Sequence, residues 1–218
     1  MLNGKKILLI IGGGIAAFKC HDLIRGLREA GASVTPVLTE AGKEFVTPLS
    51  ISVLSGSKVY ADLFDLEDET QMGHIELSRN SDLIVIVPAT ADLLAKMASG
   101  LANDLASTLL LATDTEVLAA PAMNVRMWEH LATRRNIQLL KKDGISFIGP
   151  VEGSMACGEF GFGRMAEPEQ IIVAIKKKLS LGKLKGKHIV VTSGPTYEQI
   201  DPVRFIGNLS SGNQGNQI

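Results

Sequence analysis

The chain has 218 residues, of which 45% are hydrophobic, 5% aromatic and 21% charged. Its 22 basic and 23 acidic residues give a net charge of −1, which provides no broad basic field for nucleic-acid binding. The apolar content excludes an intrinsically disordered chain and predicts one large globular domain with some chain left over. The apolar run over residues 7–18 is too short for a membrane span, which needs about 18 residues or more.

Strand and helix patterns alternate from the N-terminus. Residues 7–11 form an apolar β-type run that ends at Gly12, Gly13 and Gly14, and apolar residues then recur at helical spacing up to Gly31. Further strands are predicted at 33–39, 81–87 (ended by Pro88), 116–120 and 145–148, and helices at 91–100, 101–111 and 124–142. This alternation predicts an α/β fold with a doubly wound parallel sheet.

The alternation breaks between residues 150 and 167, where four glycines surround Cys157. We interpret this segment as a mobile loop. A helix is predicted at 168–179, a Gly/Lys-rich linker at 181–187 and a new strand at 188–192. Because about 30 residues cannot bury a core of their own, we expect residues 188–218 to be the truncated start of a second domain, disordered or held by a neighbour.

The glycine turn is the first candidate site. Residues 12–17 fit the G-x-G-x-x-A pattern between a strand and a helix, where backbone N–H groups can hold a phosphate. Glu40 follows the second strand and has the position of the ribose-binding acid of a dinucleotide site. The pattern alone does not separate NAD from FMN, and a tight turn without a ligand is the structural alternative.

Two further candidate segments follow predicted strands. Residues 88–92, Pro-Ala-Thr-Ala-Asp, contain small side chains that would let a flat ring approach the backbone. The alternative is an ordinary loop in which Thr90 or Asp92 caps a helix. Asn124 follows the next strand, and its amide is either a ligand for a carboxylate or only an N-cap.

Three further side chains of interest lie outside these turns. His74 is predicted to stand just before a strand, with Arg79 five residues on, although a lone histidine is more often structural. Cys157 is a thiol on a glycine-hinged loop, which can be delivered to a site and withdrawn. Cys20 is predicted to be a small packed hydrophobe. Because the two cysteines lack a metal-ligand spacing, no metal is predicted. Their small number and wide separation indicate a reducing cytoplasm.

Together these segments resemble a known family. In chain order the motifs are GGGIAAFK at 12–19, MGHIEL at 72–77, PATAD at 88–92, PAMN at 121–124 with Met127, and MACG at 155–158. Residues 3–180 resemble the homo-oligomeric flavin-containing cysteine decarboxylases, and among them the decarboxylase half of bacterial bifunctional phosphopantothenoylcysteine decarboxylase/phosphopantothenate–cysteine ligases. Residues 192–212 resemble the opening of the ligase half, where Asn208 matches a catalytic asparagine, whereas Asn213 departs from the usual basic residue.

The resemblance implies a Rossmann-like flavoprotein fold and a role for each matching residue. It places Asn124 and Met127 at the substrate, with Asn124 on its carboxylate, and it places Arg79 on the substrate phosphate. His74 is implied in flavin or substrate chemistry and Cys157 in proton donation. Gly12 stands where the family usually has Ser or Thr, so one hydroxyl bond to the flavin is expected to be absent. The implied FMN-binding residues are Gly12, Gly13, Gly14, Ile15, Thr39, Ala89, Thr90, Ala91, Asp92 and Met123.

The implied reaction is FMN-dependent decarboxylation of 4′-phosphopantothenoylcysteine to 4′-phosphopantetheine in coenzyme A biosynthesis. It runs through thioaldehyde and ene-thiolate intermediates, because the thioaldehyde is the electron sink that plain loss of CO₂ would lack. The resemblance further implies a cytoplasmic homotrimer, or a dodecamer of four trimers. The ligase activity is expected to be absent, because the cytidine nucleotide site of the family would lie beyond residue 218.

Three alternatives stay open at this point. The glycine turn and Glu40 would also suit an NAD-dependent oxidoreductase. A non-catalytic flavin-binding regulatory subunit would keep the fold, but it would not need both Asn124 and Cys157. A flavin prenyltransferase shares the fold and would not need a cysteine on a mobile loop.

Overall fold

The computed structural model describes residues 2–63, 74–156, 158–180 and 188–216. The chain divides into two compact units, Met1–Ser180 and Leu181–Ile218. The first unit contains a five-stranded parallel sheet with the strand order β2-β1-β3-β4-β5. Its strands are β1 (Lys6–Ile11), β2 (Ser33–Leu38), β3 (Leu83–Ala89), β4 (Val117–Pro121) and β5 (Ser146–Phe147).

Helices connect and cover these strands. A 3-10 helix, Ile15–Lys19, follows the glycine turn and leads directly into the first α-helix. The α-helices of this unit are α1 (Cys20–Glu29), α2 (Glu40–Lys43), α3 (Pro48–Ser55), α4 (His74–Arg79), α5 (Ala91–Ser99), α6 (Leu105–Ala112), α7 (Val125–Glu129), α8 (Leu131–Lys142) and α9 (Pro168–Ser180).

Successive side chains of the central strands enter two apolar cores on opposite faces of the sheet. Leu9 and Val85 belong to the core that includes residues of α1 and α9. Ile10 and Ile86 belong to the core that includes residues of α5, α6 and α8. Because strands buried on both faces read as continuous apolar runs, this arrangement explains the apolar run at 83–87 and confirms the doubly wound fold.

Several predicted elements have different bounds in the structure. The third strand does not end at Pro88 but continues to Ala89, and an irregularity in its pairing with β4 accommodates the proline. The predicted helix at 124–142 is two helices, because the backbone leaves the helical region at His130. His74 was expected just before a strand and instead begins α4.

The glycine-rich segment at 150–167 was expected to be a mobile loop; the structure contains strands here instead, while the mobility of the segment stays a prediction. It forms an antiparallel hairpin of β6 (Val151–Ser154) and β7 (Phe160–Arg164). The residues between the strands contain the MACG motif, of which residue 157 lies outside the described part of the chain. The hairpin therefore gives this motif a defined base on both sides.

The second unit has its own short elements. The strand expected at 188–192 is absent from the described residues, and β8 (Tyr197–Gln199) and β9 (Phe205–Gly207) instead form an antiparallel hairpin. The rings of Tyr197 and Phe205 meet edge to face at 4.9 Å, and a short helix, α10 (Asn213–Asn216), follows. In neither unit does a described helix have the length and apolar content needed to cross a membrane.

Candidate active site

A cleft of about 1340 Å³ opens where the parallel strands end. Its walls come from the residues that follow β1, β2, β3 and β4, and from the β6–β7 hairpin. The carboxyl ends of parallel strands share one edge of the sheet, which is the usual ligand site of open α/β folds. Because ligand pockets are typically about 300–1,000 Å³, this cleft has room for more than one small ligand.

Most residues predicted to bind flavin or substrate line this cleft. Ala89 does not, because it is fully buried at the end of β3 and belongs to the core behind the cleft. The predicted residues that do line the cleft are Gly12, Gly13, Gly14, Ile15, Thr39, Thr90, Ala91, Asp92, Met123, Asn124 and Met127.

The structure does not test the other three predicted residues in the same way. Arg79 ends α4 and is not among the described residues that line the cleft. His74 begins the same helix. Cys157 lies outside the described residues, although its neighbours Met155 and Ala156 line the cleft. The roles of all three residues stay predictions.

The glycine turn is packed closely on one side and open on the other. A Cβ on Gly12 would lie 2.3 Å from the carbonyl oxygen of Pro88, and a Cβ on Gly13 would lie 2.3 Å from the Cβ of Ala41. A Cβ on Gly14 would meet no atom within 4 Å. The first two glycines therefore allow the turn to press against the loops after β3 and β2, while Gly14 leaves its backbone open to the cleft.

The hydroxyl groups of two threonines on the cleft wall make different sets of hydrogen bonds. Thr90 Oγ1 accepts a hydrogen bond from Leu93 N at 3.2 Å, which confirms the capping alternative for this residue. Thr39 Oγ1 accepts one from Gly42 N at 3.1 Å and also donates to Ile11 O at 3.0 Å. Within the part of the chain that the structure describes, the hydroxyl proton of Thr90 thus stays available for a ligand, whereas Thr39 donates its proton to the backbone of β1.

Asn124 caps a helix and still offers its amide group to the cleft. Its Oδ1 accepts a hydrogen bond from Met127 N at 2.8 Å, at the start of α7. This bond identifies which end of the amide is the oxygen, so Nδ2 is the end left to interact elsewhere. Within the described residues, Nδ2 has no hydrogen-bond partner in the protein. The two alternatives for Asn124 are therefore compatible, because one side chain can cap the helix and donate to a carboxylate.

Strand β7 packs directly on the Met123–Asn124 segment. Gly163 O accepts a hydrogen bond from Met123 N at 3.0 Å. A Cβ on Gly163 would lie 2.3 Å from Met123 O and 3.0 Å from the Cε of Met155. Glycine at this position therefore lets the hairpin contact the backbone beside Asn124, and it holds one side of the cleft in place.

An ion cluster that the sequence did not indicate forms another part of the wall. Lys96 Nζ lies 2.7 Å from Asp104 Oδ2 and 3.5 Å from Asp92 Oδ2. The hydrogen bond to Asp104 raises the pKa of Lys96. Burial raises the pKa of Asp104, but hydrogen bonds from Lys96 and Ser107 outweigh it and leave this pKa below its ordinary value. Lys96 and Asp104 are therefore charged at neutral pH, and Asp92 lines the cleft with the Lys96 cation beside it.

A second cluster lies on the hairpin side of the cleft. Lys19 Nζ lies 2.8 Å from Glu167 Oε2, and Arg164 Nη2 donates to Glu167 Oε1. The hydrogen bond from Lys19 lowers the pKa of Glu167. Lys19 and Arg164 both line the cleft. No local pattern could have revealed this cluster, because Lys19 and Glu167 are 148 residues apart in sequence.

Glu40, the candidate ribose ligand of a dinucleotide site, also lines the cleft. Its carboxylate accepts a hydrogen bond from Lys43 within α2, and Lys43 is in turn 3.6 Å from Asp62. The glutamate is therefore already paired with a cation of its own helix.

The comparison with family models follows the division of the chain. The model described as Flavoprotein matches residues 1–180, and the model described as DNA/pantothenate metabolism flavoprotein C-terminal domain matches residues 184–218. The chain belongs to the flavoprotein family. This membership confirms the resemblance that the five motifs indicated.

The curated relatives are longer than this chain. The chain is 51% identical to the coenzyme A biosynthesis bifunctional protein CoaBC of Vibrio vulnificus over 214 residues, which are 98% of this chain and 53% of that protein. It is 48% identical to the protein of the same name from Escherichia coli over 215 residues, again 98% of this chain and 53% of that protein. The chain thus spans about half the length of the curated relatives it matches.

Solved structures that are similar in sequence have the same fold. A mutant PPC decarboxylase complexed with pantothenoylaminoethenethiol is 33% identical with a TM-score of 0.73, and the match covers 81% of this chain and 98% of that chain. The FMN binding protein AtHal3 is 31% identical with a TM-score of 0.67, and the match covers 84% of this chain and 99% of that chain. The predicted Rossmann-like flavoprotein fold is therefore confirmed.

Proposed function

We propose that the first unit catalyses the FMN-dependent decarboxylation of 4′-phosphopantothenoylcysteine to 4′-phosphopantetheine, a step of coenzyme A biosynthesis. The observation that carries this proposal is Asn124, whose capping bond directs a neutral amide donor into a cleft of the flavoprotein fold. The names of the relatives support it, since these are a coenzyme A biosynthesis protein and a PPC decarboxylase.

The cleft fits FMN as the cofactor. Small side chains, among them Ala41, Ala91 and Ala122, line it and leave room for a flat ring. The backbone at Gly14 is open to the cleft and can approach a phosphate closely. Thr90 has a hydroxyl proton to donate to the edge of a ring. When bound, FMN supplies the two-electron redox chemistry that loss of CO₂ from an unactivated cysteine requires.

Asn124 and its surroundings would hold the reacting carboxylate. Nδ2 binds the carboxylate without adding a countercharge, and the side chains of Met123 and Met127 line the cleft beside it. An apolar environment destabilises the charged carboxylate relative to neutral CO₂, and this difference favours decarboxylation. Cys157 is proposed to donate a proton after CO₂ is lost. The product thiol then has the same oxidation state as the substrate thiol.

We further infer a homotrimer, or a dodecamer of four trimers, in which neighbouring subunits complete the site. Ile15 and Phe18 line the cleft and are 61% and 54% exposed, and Phe45, Leu49 and Val53 are also exposed. Exposed apolar side chains in this number favour a protein contact. A neighbour could also supply His74 and Arg79. Light scattering of the active, flavin-loaded protein tests this inference, and an active monomer would refute it.

Two further inferences concern the ligase reaction and the cellular location of the protein. The ligase reaction is not expected from this chain, because residues 188–216 contain only two three-residue strands and one short helix. A cytoplasmic location is in line with the free thiol of Cys20 and with coenzyme A biosynthesis.

Two experiments test the proposed function. The first is a visible spectrum of the purified protein incubated with FMN, in which a protein that stays colourless after desalting would contradict the proposal and favour the dinucleotide alternative. The second is mass spectrometry of the products formed from 4′-phosphopantothenoylcysteine by the wild type and Cys157→Ser. An oxidised ene-thiol that accumulates only with Cys157→Ser supports the proposed role of the thiol, and a normal product yield from this variant contradicts it.

A further inference from the structure

Two cations on the cleft wall share one carboxylate. Lys19 closes the 3-10 helix that follows the glycine turn, and Arg164 is the last residue of β7. Glu167 accepts a hydrogen bond from each cation on a different oxygen, at Oε2 from Lys19 and at Oε1 from Arg164. The cluster of these three residues therefore has a net charge of +1 when all are ionised.

This cluster is the one net positive group on the described part of the cleft wall. The other cation that lines the cleft is Lys96. It is paired with both Asp92 and Asp104, so these three residues together have a net charge of −1 when all are ionised. The remaining charged lining residue is Glu40, which is paired with Lys43. An anionic group that enters the cleft is thus attracted to one place on its wall.

The carboxylate of the cluster stays ionised, and one of its two cations is largely shielded from solvent. The hydrogen bond from Lys19 lowers the pKa of Glu167, which keeps the carboxylate ionised. The side chain of Lys19 is only 14% exposed, so its charge is less screened than that of a surface lysine. Among the described residues, neither cation has a side-chain partner besides Glu167, so most of their N–H donors stay available.

A glycine on the neighbouring strand gives the arginine its place. A Cβ on Gly153 would lie 3.2 Å from both Cδ and Nη1 of Arg164. Because Gly153 has no side chain, Arg164 can lie across β6 at this position, and Glu167 binds its guanidinium group. A cation that is oriented before the ligand arrives loses less entropy on binding.

We propose that Lys19 and Arg164 form an anion subsite that binds a phosphate monoester, an inference that rests on the proposed function. Guanidinium and ammonium groups are the usual protein ligands of phosphate, and Arg164 retains N–H donors for a bidentate contact. Two phosphate monoesters enter this cleft in the proposed reaction, that of FMN and that of the substrate. Arg79, the residue that the sequence motif suggested for the substrate phosphate, lies outside the described cleft wall.

The test compares each ligand with its dephosphorylated form. Flavin fluorescence gives the Kd ratio of riboflavin to FMN for the apoprotein, and steady-state kinetics gives the KM ratio of pantothenoylcysteine to 4′-phosphopantothenoylcysteine. We expect Arg164→Gln and Lys19→Gln each to lower one of these ratios about tenfold to a hundredfold. The ratio that falls identifies the source of the phosphate. The exposed Arg135→Gln on α8 makes the same charge change away from the cleft and is expected to leave both ratios unchanged.

A further variant separates phosphate binding from a merely structural role of the cluster. Glu167→Gln removes the same two ion pairs but keeps both cations, so it is expected to retain the phosphate preference that Arg164→Gln loses. If both variants lose the preference equally, or if neither ratio changes in Arg164→Gln, the proposal is wrong. Flavin binding is measured without turnover, so a wild-type protein that binds FMN but releases no CO₂ would contradict the proposed function and leave the flavin arm of this test intact.

Discussion

Asn124→Asp tests the proposed binding of the substrate carboxylate most directly. The capping bond from Met127 N to the side chain of residue 124 is kept, because aspartate caps a helix as well as asparagine does. The fold and the start of α7 should therefore be unchanged. What changes is the other end of the side chain, where an N–H donor becomes a negatively charged oxygen at the proposed site of the substrate carboxylate.

The expected loss is the sum of two contributions. A hydrogen bond to a charged group contributes about 1.5–3 kcal/mol. Two like charges about 4 Å apart repel by about 4 kcal/mol at an effective dielectric constant of about 20. The sum is about 5–7 kcal/mol, which corresponds to a loss of roughly four to five orders of magnitude in kcat/KM.

The assay measures CO₂ release from 4′-phosphopantothenoylcysteine together with FMN binding and the thermal midpoint of unfolding. We expect Asn124→Asp to bind FMN and to unfold at the wild-type temperature while its turnover is lost. The matched control is Gln138→Glu, which makes the same amide-to-acid change at an exposed position of α8. Turnover of Asn124→Asp within about tenfold of the wild type would refute the role of this side chain in carboxylate binding.

Three further predictions follow from particular contacts. Gly13→Ala should lower the free energy of unfolding by about 1–3 kcal/mol in urea denaturation, because its Cβ would meet Ala41, whereas Gly14→Ala should not. Cys20 should stay unlabelled by iodoacetamide at about pH 8 in the native protein and react after unfolding, since burial raises its pKa to about 12. Limited proteolysis near 183–187 should leave decarboxylation intact. The whole chain should show no cytidine-triphosphate-dependent joining of cysteine to phosphopantothenate. Loss of decarboxylation on trimming, or measurable ligation, would contradict the assignment of decarboxylation alone to the first unit.

The features of the fold that have local signals could be predicted from the sequence. The apolar run of β1 and the glycines after it mark a strand and a turn, and β3 is recognisable because it is apolar on both faces. The position of the cleft followed from the rule that the carboxyl ends of parallel strands meet at one edge. That rule is the reason why Thr90 and Asn124 were expected near the glycine turn, and both line the cleft.

The features that depend on contacts between distant residues could not be predicted in this way. Gly153, Gly161 and Gly163 indicated a loop because glycine is disfavoured in strands. In the structure Arg164 of β7 lies against Gly153 of β6, while Val125 and Met123 pack against Gly161 and Gly163. The small size of these glycines therefore depends on contacts with residues that are not their neighbours in sequence.

The cation cluster of Lys19 and Arg164 was missed for the same kind of reason. Neither residue has a neighbour in sequence that indicates a ligand, and the carboxylate that orients Lys19 comes from the segment before α9. The break between α7 and α8 is similar. The pattern of apolar residues continues through His130, but the side chain of His130 accepts a hydrogen bond from Ala132 N and starts a new helix.

We infer above all that this chain removes the cysteinyl carboxylate of 4′-phosphopantothenoylcysteine with the help of FMN. The most direct measurement uses substrate labelled with ¹³C at that carboxylate, incubated with the FMN-loaded protein and analysed by mass spectrometry. We predict labelled CO₂ and an equal amount of 4′-phosphopantetheine, and neither product from the apoprotein. Intact labelled substrate after incubation with the FMN-loaded protein, or equal release by the apoprotein, would contradict the claim.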